Sequence, residues 1–165
     1  MLKWRDYDPN VDKEIDSWIL ANFSKNAHLI NKYAFFNEPA SEQYRWYKEH
    51  PKEGSNIADF FKVVEINNEV IAFLILNYFR DDSERLVLGV NPIAVEPNQI
   101  NKGNGTLVLT DLITNSDTII GHKVDVFYAG IDEKNNISTK VFKNLGFKES
   151  GRSDDKEFVY YELKR

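Results

Sequence analysis

Val95-Glu96-Pro97-Asn98-Gln99-Ile100-Asn101-Lys102-Gly103-Asn104-Gly105-Thr106 joins an apolar run ending in Ile93-Ala94-Val95 to a stretch with Val108, Leu109, Leu112 and Ile113 at helical spacing. The period changes across it, so it reads as a strand-to-helix junction. Gly103 and Gly105 let the backbone approach a ligand with no Cβ in the way. The first N–H groups of the helix lack an intrahelical acceptor, and its dipole favours an anion there. Lys102 adds a positive charge beside them. Such a segment can be a phosphate cradle, and it can equally be a glycine-rich turn that caps a helix. A P-loop would need Gly-Lys-Ser/Thr after four spacers, whereas Thr106-Leu107 follows Gly105. A dinucleotide fingerprint would need a third glycine where Val108 stands, although Asp125 lies at a suitable distance beyond Gly105.

Upstream of this junction the pattern has period two. Phe60–Ile66 and Val70–Phe79 are expected strands, rich in β-branched and aromatic residues. Asn67-Asn68 between them suits a turn with positive φ. A third strand, Leu86–Val95, follows the polar turn Arg80–Glu84. Asn91-Pro92 interrupts it, and since proline cannot donate to a ladder this position marks a bulge, a kink or a parting of strands. Leu2–Tyr7 reads as a short first strand. Asp8-Pro9 then reads as the cap and first position of a helix, with Val11, Ile15, Trp18 and Ile19 on one face to about Asn22. Ser41 opens a second helix that carries Tyr44, Trp46 and Tyr47 and closes before Pro51.

Downstream, helix and strand alternate. Asn104–Asn115 is an expected helix and Val124–Ala129 a strand. Asn135–Leu145 is a helix with the core stripe Ile137, Val141 and Leu145, ending at Gly146, which suits a left-handed C-terminal position. Phe147–Ser150 and Phe158–Leu163 close the chain as strands. Seven strands with interspersed helices imply an α/β (α+β) fold, a mixed central sheet with helices on both faces. Ser138 and Phe142 share a helix face beside the core stripe. For Phe142 plain core packing is the alternative to a ligand contact.

The chain has 165 residues, 42% hydrophobic and 28% charged, with a net charge of −5 and no cysteine. That size suits one domain over residues 1–165 with a single core. Without cysteine there is no disulfide, thiolate metal site or thiol nucleophile. An acidic balance speaks against a nucleic-acid partner held by phosphate contacts. No apolar run approaches the roughly 20 residues that span a bilayer, and the N-terminus lacks a secretory stretch. A cytoplasmic protein with no membrane partner is expected, and both monomer and homodimer stay open. No two of His28, His50 and His122 have metal-ligand spacing, so no metal is expected.

The junction and the later Asn135-Asn-Ile-Ser138-Thr-Lys-Val-Phe142-Lys-Asn-Leu-Gly146-Phe147 together resemble the GNAT superfamily of acetyl-CoA-dependent N-acetyltransferases. In that pattern a strand ending Val-x-Pro leads into Arg/Gln-x-x-Gly-x-Gly, and Asn-x-x-Ala/Ser-x-x-x-Tyr-x-x-x-Gly-Phe follows later. The element order agrees along the whole chain. The resemblance implies a mostly antiparallel sheet of about seven strands, splayed at the cofactor site. It implies acetyl-CoA as cosubstrate, with its pyrophosphate on the amides of Asn101, Lys102, Gly103, Asn104, Gly105 and Thr106. Its pantetheine arm would run along Ile93, Ala94 and Val95, with the Val95 N–H on the thioester carbonyl. Asn135, Ser138 and Phe142 would face it from the other side. The reaction implied is direct attack by a primary amine of a small molecule or peptide on the thioester. An acetyl-CoA sensor with little catalysis is the alternative.

Four positions make three departures from that pattern. Ile100 replaces Arg or Gln, Phe142 replaces the tyrosine that protonates the leaving thiolate, and Gly89 and Gly130 stand where a basic glutamate is familiar. Tyr128 alternates with Gly130 on its strand and is the substitute catalytic candidate, a core tyrosine being the alternative. Tyr160 and Tyr161 must point to opposite faces. The dense aromatics Tyr33, Phe35, Phe36, Tyr44, Trp46 and Tyr47 are candidates for an acceptor pocket or a dimer surface.

Overall fold

The computed structural model describes residues 1–19, 38–50 and 52–165. Phe23, His28, Tyr33, Phe35, Phe36 and Pro51 lie outside them. The described elements are β1 (Lys3–Asp6), α1 (Ile15–Ile19), α2 (Ala40–Glu49), β2 (Asn56–Ile66), β3 (Glu69–Arg80) and β4 (Leu86–Val95). After a 3₁₀ turn at Pro97–Gln99 come α3 (Asn104–Ile120), β5 (Val126–Asp132), α4 (Asn136–Asn144), β6 (Lys148–Arg152) and β7 (Phe158–Lys164). The strands form one seven-stranded sheet in the order β1-β2-β3-β4-β5-β7-β6. Neighbours run antiparallel except β4 and β5, which are parallel because α3 crosses over between them.

β3 is apolar nearly throughout because both of its faces are covered. Ala72, Leu74, Leu76 and Tyr78 pack with Val108, Leu109 and Leu112 of α3 and Phe142 of α4. Phe73 and Ile75 point the other way, towards Ile15 and Trp18 of α1 and Ala40 of α2. The β2–β3 hairpin turns at Asn67 and Asn68, whose φ values of 51° and 65° are those the Asn-Asn pair was expected to supply. The proline break is a bulge. Between the pairs Leu76↔Val90 and Leu74↔Ile93, β4 uses one more residue than β3.

Three expectations are corrected. Asp8-Pro9 starts a turn, and α1 begins only at Ile15. The Asp8 carboxylate accepts the Asn10 N–H at 2.8 Å, while the buried Asp12 carboxylate accepts the Asp8 N–H at 2.9 Å and two Arg5 nitrogens at 2.8 and 2.7 Å. These local bonds compete with helix formation, and Val11, expected on the apolar face, is 70% exposed. The second correction is the length of α3, which continues past Asn115 to Ile120. Asn115 has φ −117° and ψ 17°, a kink, yet the following Ser116 and Ile120 are buried. The polar Asn-Ser-Asp signal marks the kink, and tertiary packing carries the helix on. Third, the α4 stripe fails at one position: Val141 and Leu145 pack against the core, but Ile137 is 66% exposed, and Phe142 is the most buried residue of the helix. Its ring meets Phe147 edge-on at 5.0 Å. Gly146 ends that helix at φ 94°, the conformation a side chain would strain.

Among the described N-terminal aromatics, Tyr44 and Tyr47 pack edge-on against Phe61 at 5.2 and 5.4 Å. Trp46 is 52% exposed and stacks on His50 at 4.2 Å. Among the described residues no helix is long and apolar enough to cross a membrane.

Candidate active site

β4 and β5 stay paired for three residues only: Val87↔Val126, Leu88↔Phe127 and Gly89↔Tyr128. The bulge at Asn91-Pro92 follows immediately, and from there each strand keeps only its antiparallel neighbour, β3 for β4 and β7 for β5. The sheet thus opens at the carboxyl ends of its two parallel strands. The helices that follow them, α3 and α4, begin at that same end, so two helix N-termini flank the opening.

Backbone alternation fixes what β4 offers to it. The Glu96 N–H donates to Ile71 O at 2.8 Å, so Glu96 and Ala94 direct their polar groups at β3. Ile93 and Val95 then direct theirs away from β3, into the opening. Their side chains lie on the α3 face, while Ala94 packs with the cluster under α1 and α2.

The loop after β4 is held by its own residues. Asn101 has φ 62° and Gly103 has φ 79°, and the Asn104 side-chain amide donates to Gln99 O at 3.1 Å. Leu107 is the first α3 residue to reach back to the loop, its N–H donating to Gly103 O at 3.0 Å. The N–H groups of Asn104, Gly105 and Thr106 therefore precede the helical ladder. A Cβ built on Gly105 would stand 3.7 Å from Val95 Cγ2, so the cradle abuts the opened strand. Lys102 is exposed beside it.

At the α4 end, Asn135 is buried and caps the helix, its Oδ1 accepting the Ser138 N–H at 3.1 Å. Phe142 sits a turn further on, its ring in the core. Ile93–Val95 and Asn101–Thr106 are thus brought together, with Asn135 and Ser138 at the head of the neighbouring parallel strand's helix.

Tyr128 lies on the opposite face, in register with Gly89 on one side and Glu162 on the other. Its ring is half-buried, 5.6 Å from that of Tyr160 and edge-on to Phe79 at 6.4 Å. Burial, with smaller contributions from Tyr160 and Glu162, pushes its hydroxyl up to about 12, so it remains a proton donor over the ordinary pH range. Tyr161 is buried on the α4 face, as the alternation required. Sequence reading passed over Glu162 and its partner Arg85, which meet at 3.3 Å. Counting two residues on from Tyr160 puts Glu162 on the Tyr160 face, but only strand order puts it beside Tyr128. Among the described residues no group of His, Asp and Glu is disposed to hold a metal ion.

Comparison with known proteins agrees with this architecture. The profile described as "Acetyltransferase (GNAT) family" matches residues 20–147. Among solved structures, yncA from Salmonella typhimurium, described with its cofactor acetyl-CoA, superposes with a TM-score of 0.62 at 19% identity, covering 99% of this chain and 93% of that one. The ribosomal-protein-S18-alanine N-acetyltransferase of Escherichia coli does so with 0.57 at 17% identity over 99% and 94%. The spermidine/spermine N-acetyltransferase SpeG of Vibrio cholerae gives 0.62 at 16% over 99% and 95%. No curated protein matches the sequence. The profile spans most of the chain and the motif-bearing elements fall where the fold needs them, so the chain belongs to the GNAT acetyltransferase family.

Proposed function

We propose that the protein is an N-acetyltransferase that moves the acetyl group of acetyl-CoA to a primary amine by direct attack. The observation that carries this reading is the opening between β4 and β5, with unpaired strand edge at Ile93–Val95 and free helix amides at Asn104–Thr106 side by side. An extended arm bearing a pyrophosphate needs a strand edge and an anion cradle at that separation. The residues present fit such a ligand: the Gly103 and Gly105 backbone is bare, and Lys102 supplies the charge that Ile100 cannot. Acetyl-CoA supplies the activated thioester; the chain supplies the rest.

In this reading the amides of Asn101–Thr106 hold the pyrophosphate, and the edge of Ile93–Val95 aligns the arm. The Val95 N–H, directed into the opening, donates to the thioester carbonyl and stabilises the charge that develops on its oxygen. Asn135 and Ser138 border the arm from α4. Phe142 contributes shape alone, since it has no proton to give. Tyr128 takes the acid's part: a hydroxyl kept protonated by burial gives a proton to the departing thiolate and recovers one from the acetylated nitrogen. The alternative, a sensor that binds acetyl-CoA without turnover, draws on the same departures, Phe142, Gly89 and Gly130.

Two measurements test the reading. Saturating acetyl-CoA should raise the melting temperature, because a ligand that binds only the native state stabilises it; no shift rejects both forms. Release of free CoA with a panel of primary amines then distinguishes transferase from sensor.

A further inference from the structure

The face of the sheet opposite α3 carries a row of residues in mutual register across five strands: Asp59, Asn77, Gly89, Tyr128 and Glu162. Register partners project to the same face, so these groups form one line at the level where β4 and β5 part. The two carboxylates in the line differ in how they are used. Asp59 is satisfied, accepting the Asn77 side-chain amide at 2.6 Å and pairing with Lys52. Glu162 meets Arg85 at 3.3 Å, but Arg85 has its shorter bond, 2.7 Å, to Asp81. Arg85 is thus shared between two carboxylates, so the group as a whole stays acidic. Among the described residues it is the one group bonded to the Glu162 carboxylate, which has acceptor sites to spare. Lys148 faces Glu162 from β6 in register and is exposed, and Tyr128 faces it from β5.

The surroundings of that carboxylate are built of bare backbone and rings. Tyr160 lies between Gly130 and Gly151, where a Cβ would stand 3.5 and 3.7 Å from its ring. Gly89 leaves the other side of Tyr128 without a side chain on the neighbouring strand. The Tyr128 and Tyr160 rings are 5.6 Å apart and inclined at 41°, both only partly buried. The apolar cluster under α1 and α2 includes Phe61, Phe73 and Ala94 and does not extend to Tyr128, Tyr160 or Glu162. Two tyrosine rings and a carboxylate with free lone pairs therefore converge at the point where the opening in the sheet reaches this face.

We propose that this is the acceptor subsite, and that it receives the amine as an alkylammonium ion, bonded to the Glu162 carboxylate over the Tyr128 and Tyr160 rings; the ion gives up one proton to solvent before its nitrogen attacks. Charge-assisted hydrogen bonding and cation–π attraction both act on such an ion and neither acts on a neutral isostere. The subsite rests on the acetyl-CoA reading, because it gains its purpose from an acetyl group presented through the opening.

The experiment compares n-butylamine, a cation at neutral pH, with n-butanol as ligands of the full chain saturated with CoA, by NMR titration. Butylamine is expected to bind at least about tenfold more tightly. Glu162→Gln, which keeps the shape and a bond to Arg85, should abolish that advantage while leaving CoA affinity and melting temperature unchanged. Tyr160→Leu should weaken butylamine about threefold. Equal binding of the two ligands by the wild type, or an advantage that survives in Glu162→Gln, overturns the subsite. If CoA itself fails to stabilise the wild type, the acetyl-CoA reading falls separately. The same ligand comparison on the protein alone then decides the subsite.

Discussion

Single atoms decide much of the site. At Gly105 a new Cβ would sit 3.7 Å from Val95 Cγ2, so the branched methyls of Gly105→Val would occupy the ground between cradle and strand. CoA affinity should fall about tenfold or more, the worth of one or two charge-assisted bonds to phosphate. The helix itself would persist, since valine costs it well under about 1 kcal/mol. Calorimetric titration with CoA, beside a melting curve, separates the two effects. Tyr128→Phe tests the proton donor: kcat should drop about a hundredfold with the KM for acetyl-CoA unchanged. The hydroxyl's folded value of about 12 lies above the ordinary 10.0. Its contribution to stability is therefore present below pH 10 and lost as the pH rises towards 12. Ultraviolet titration of wild type minus Tyr128→Phe should accordingly show a tyrosinate step near pH 12 and none near pH 10.

Elements show where residue patterns suffice and where they fail. The hairpin at Asn67-Asn68, the proline bulge in β4 and the Gly146 terminus of α4 were legible because each depends on a backbone demand that few residues meet. The junction of β4 with α3 was legible for the same reason, and with it the segments where the cofactor is proposed to bind. The start of α1 was not, because Arg5 lies in a different element from the Asp12 it holds. Nor was the exposure of Ile137 at the start of α4, since Val141, Leu145 and Phe142 supply the inward face without it. Phe142→Ala should cost about 3–5 kcal/mol in urea denaturation, the usual penalty for emptying a buried ring site. Phe142→Leu should cost much less.

For the molecule as a whole, charge sets the acid limit. Burial raises the proton affinity of the Asp12 carboxyl, but the Arg5 guanidinium and the Asp8 amide lower it by more, and the net shift is downward. Arg5 and Lys3 likewise lower that of Glu65. Depressed carboxylates contribute stability above their unfolded values and lose it as the pH falls through their folded ones. Urea midpoints should therefore decline below about pH 4, and less steeply in Asp12→Asn, which should itself cost about 2 kcal/mol at neutral pH by weakening the bonds from Arg5, which keeps Glu65. What no sequence pattern could supply is the proposed acceptor side. Glu162 on β7, Tyr128 on β5 and Arg85 in the turn before β4 are far apart in the chain and meet only through the order of the sheet.

The short parallel contact between β4 and β5 also bears on how the chain assembles. It is the seam in the sheet between the β2–β3–β4 meander, to which β1 adds from across α1 and α2, and the antiparallel block β5–β7. Blocks of local contacts form early, whereas a pairing across a crossover helix must wait for loop closure. The amides at Val87–Gly89 and Val126–Tyr128 should then gain protection after those of the β2–β3 hairpin in pulse-labelled hydrogen exchange during refolding. A molecule wedged beyond the seam would clamp the blocks together, slowing exchange there while leaving the β2–β3 hairpin as it was.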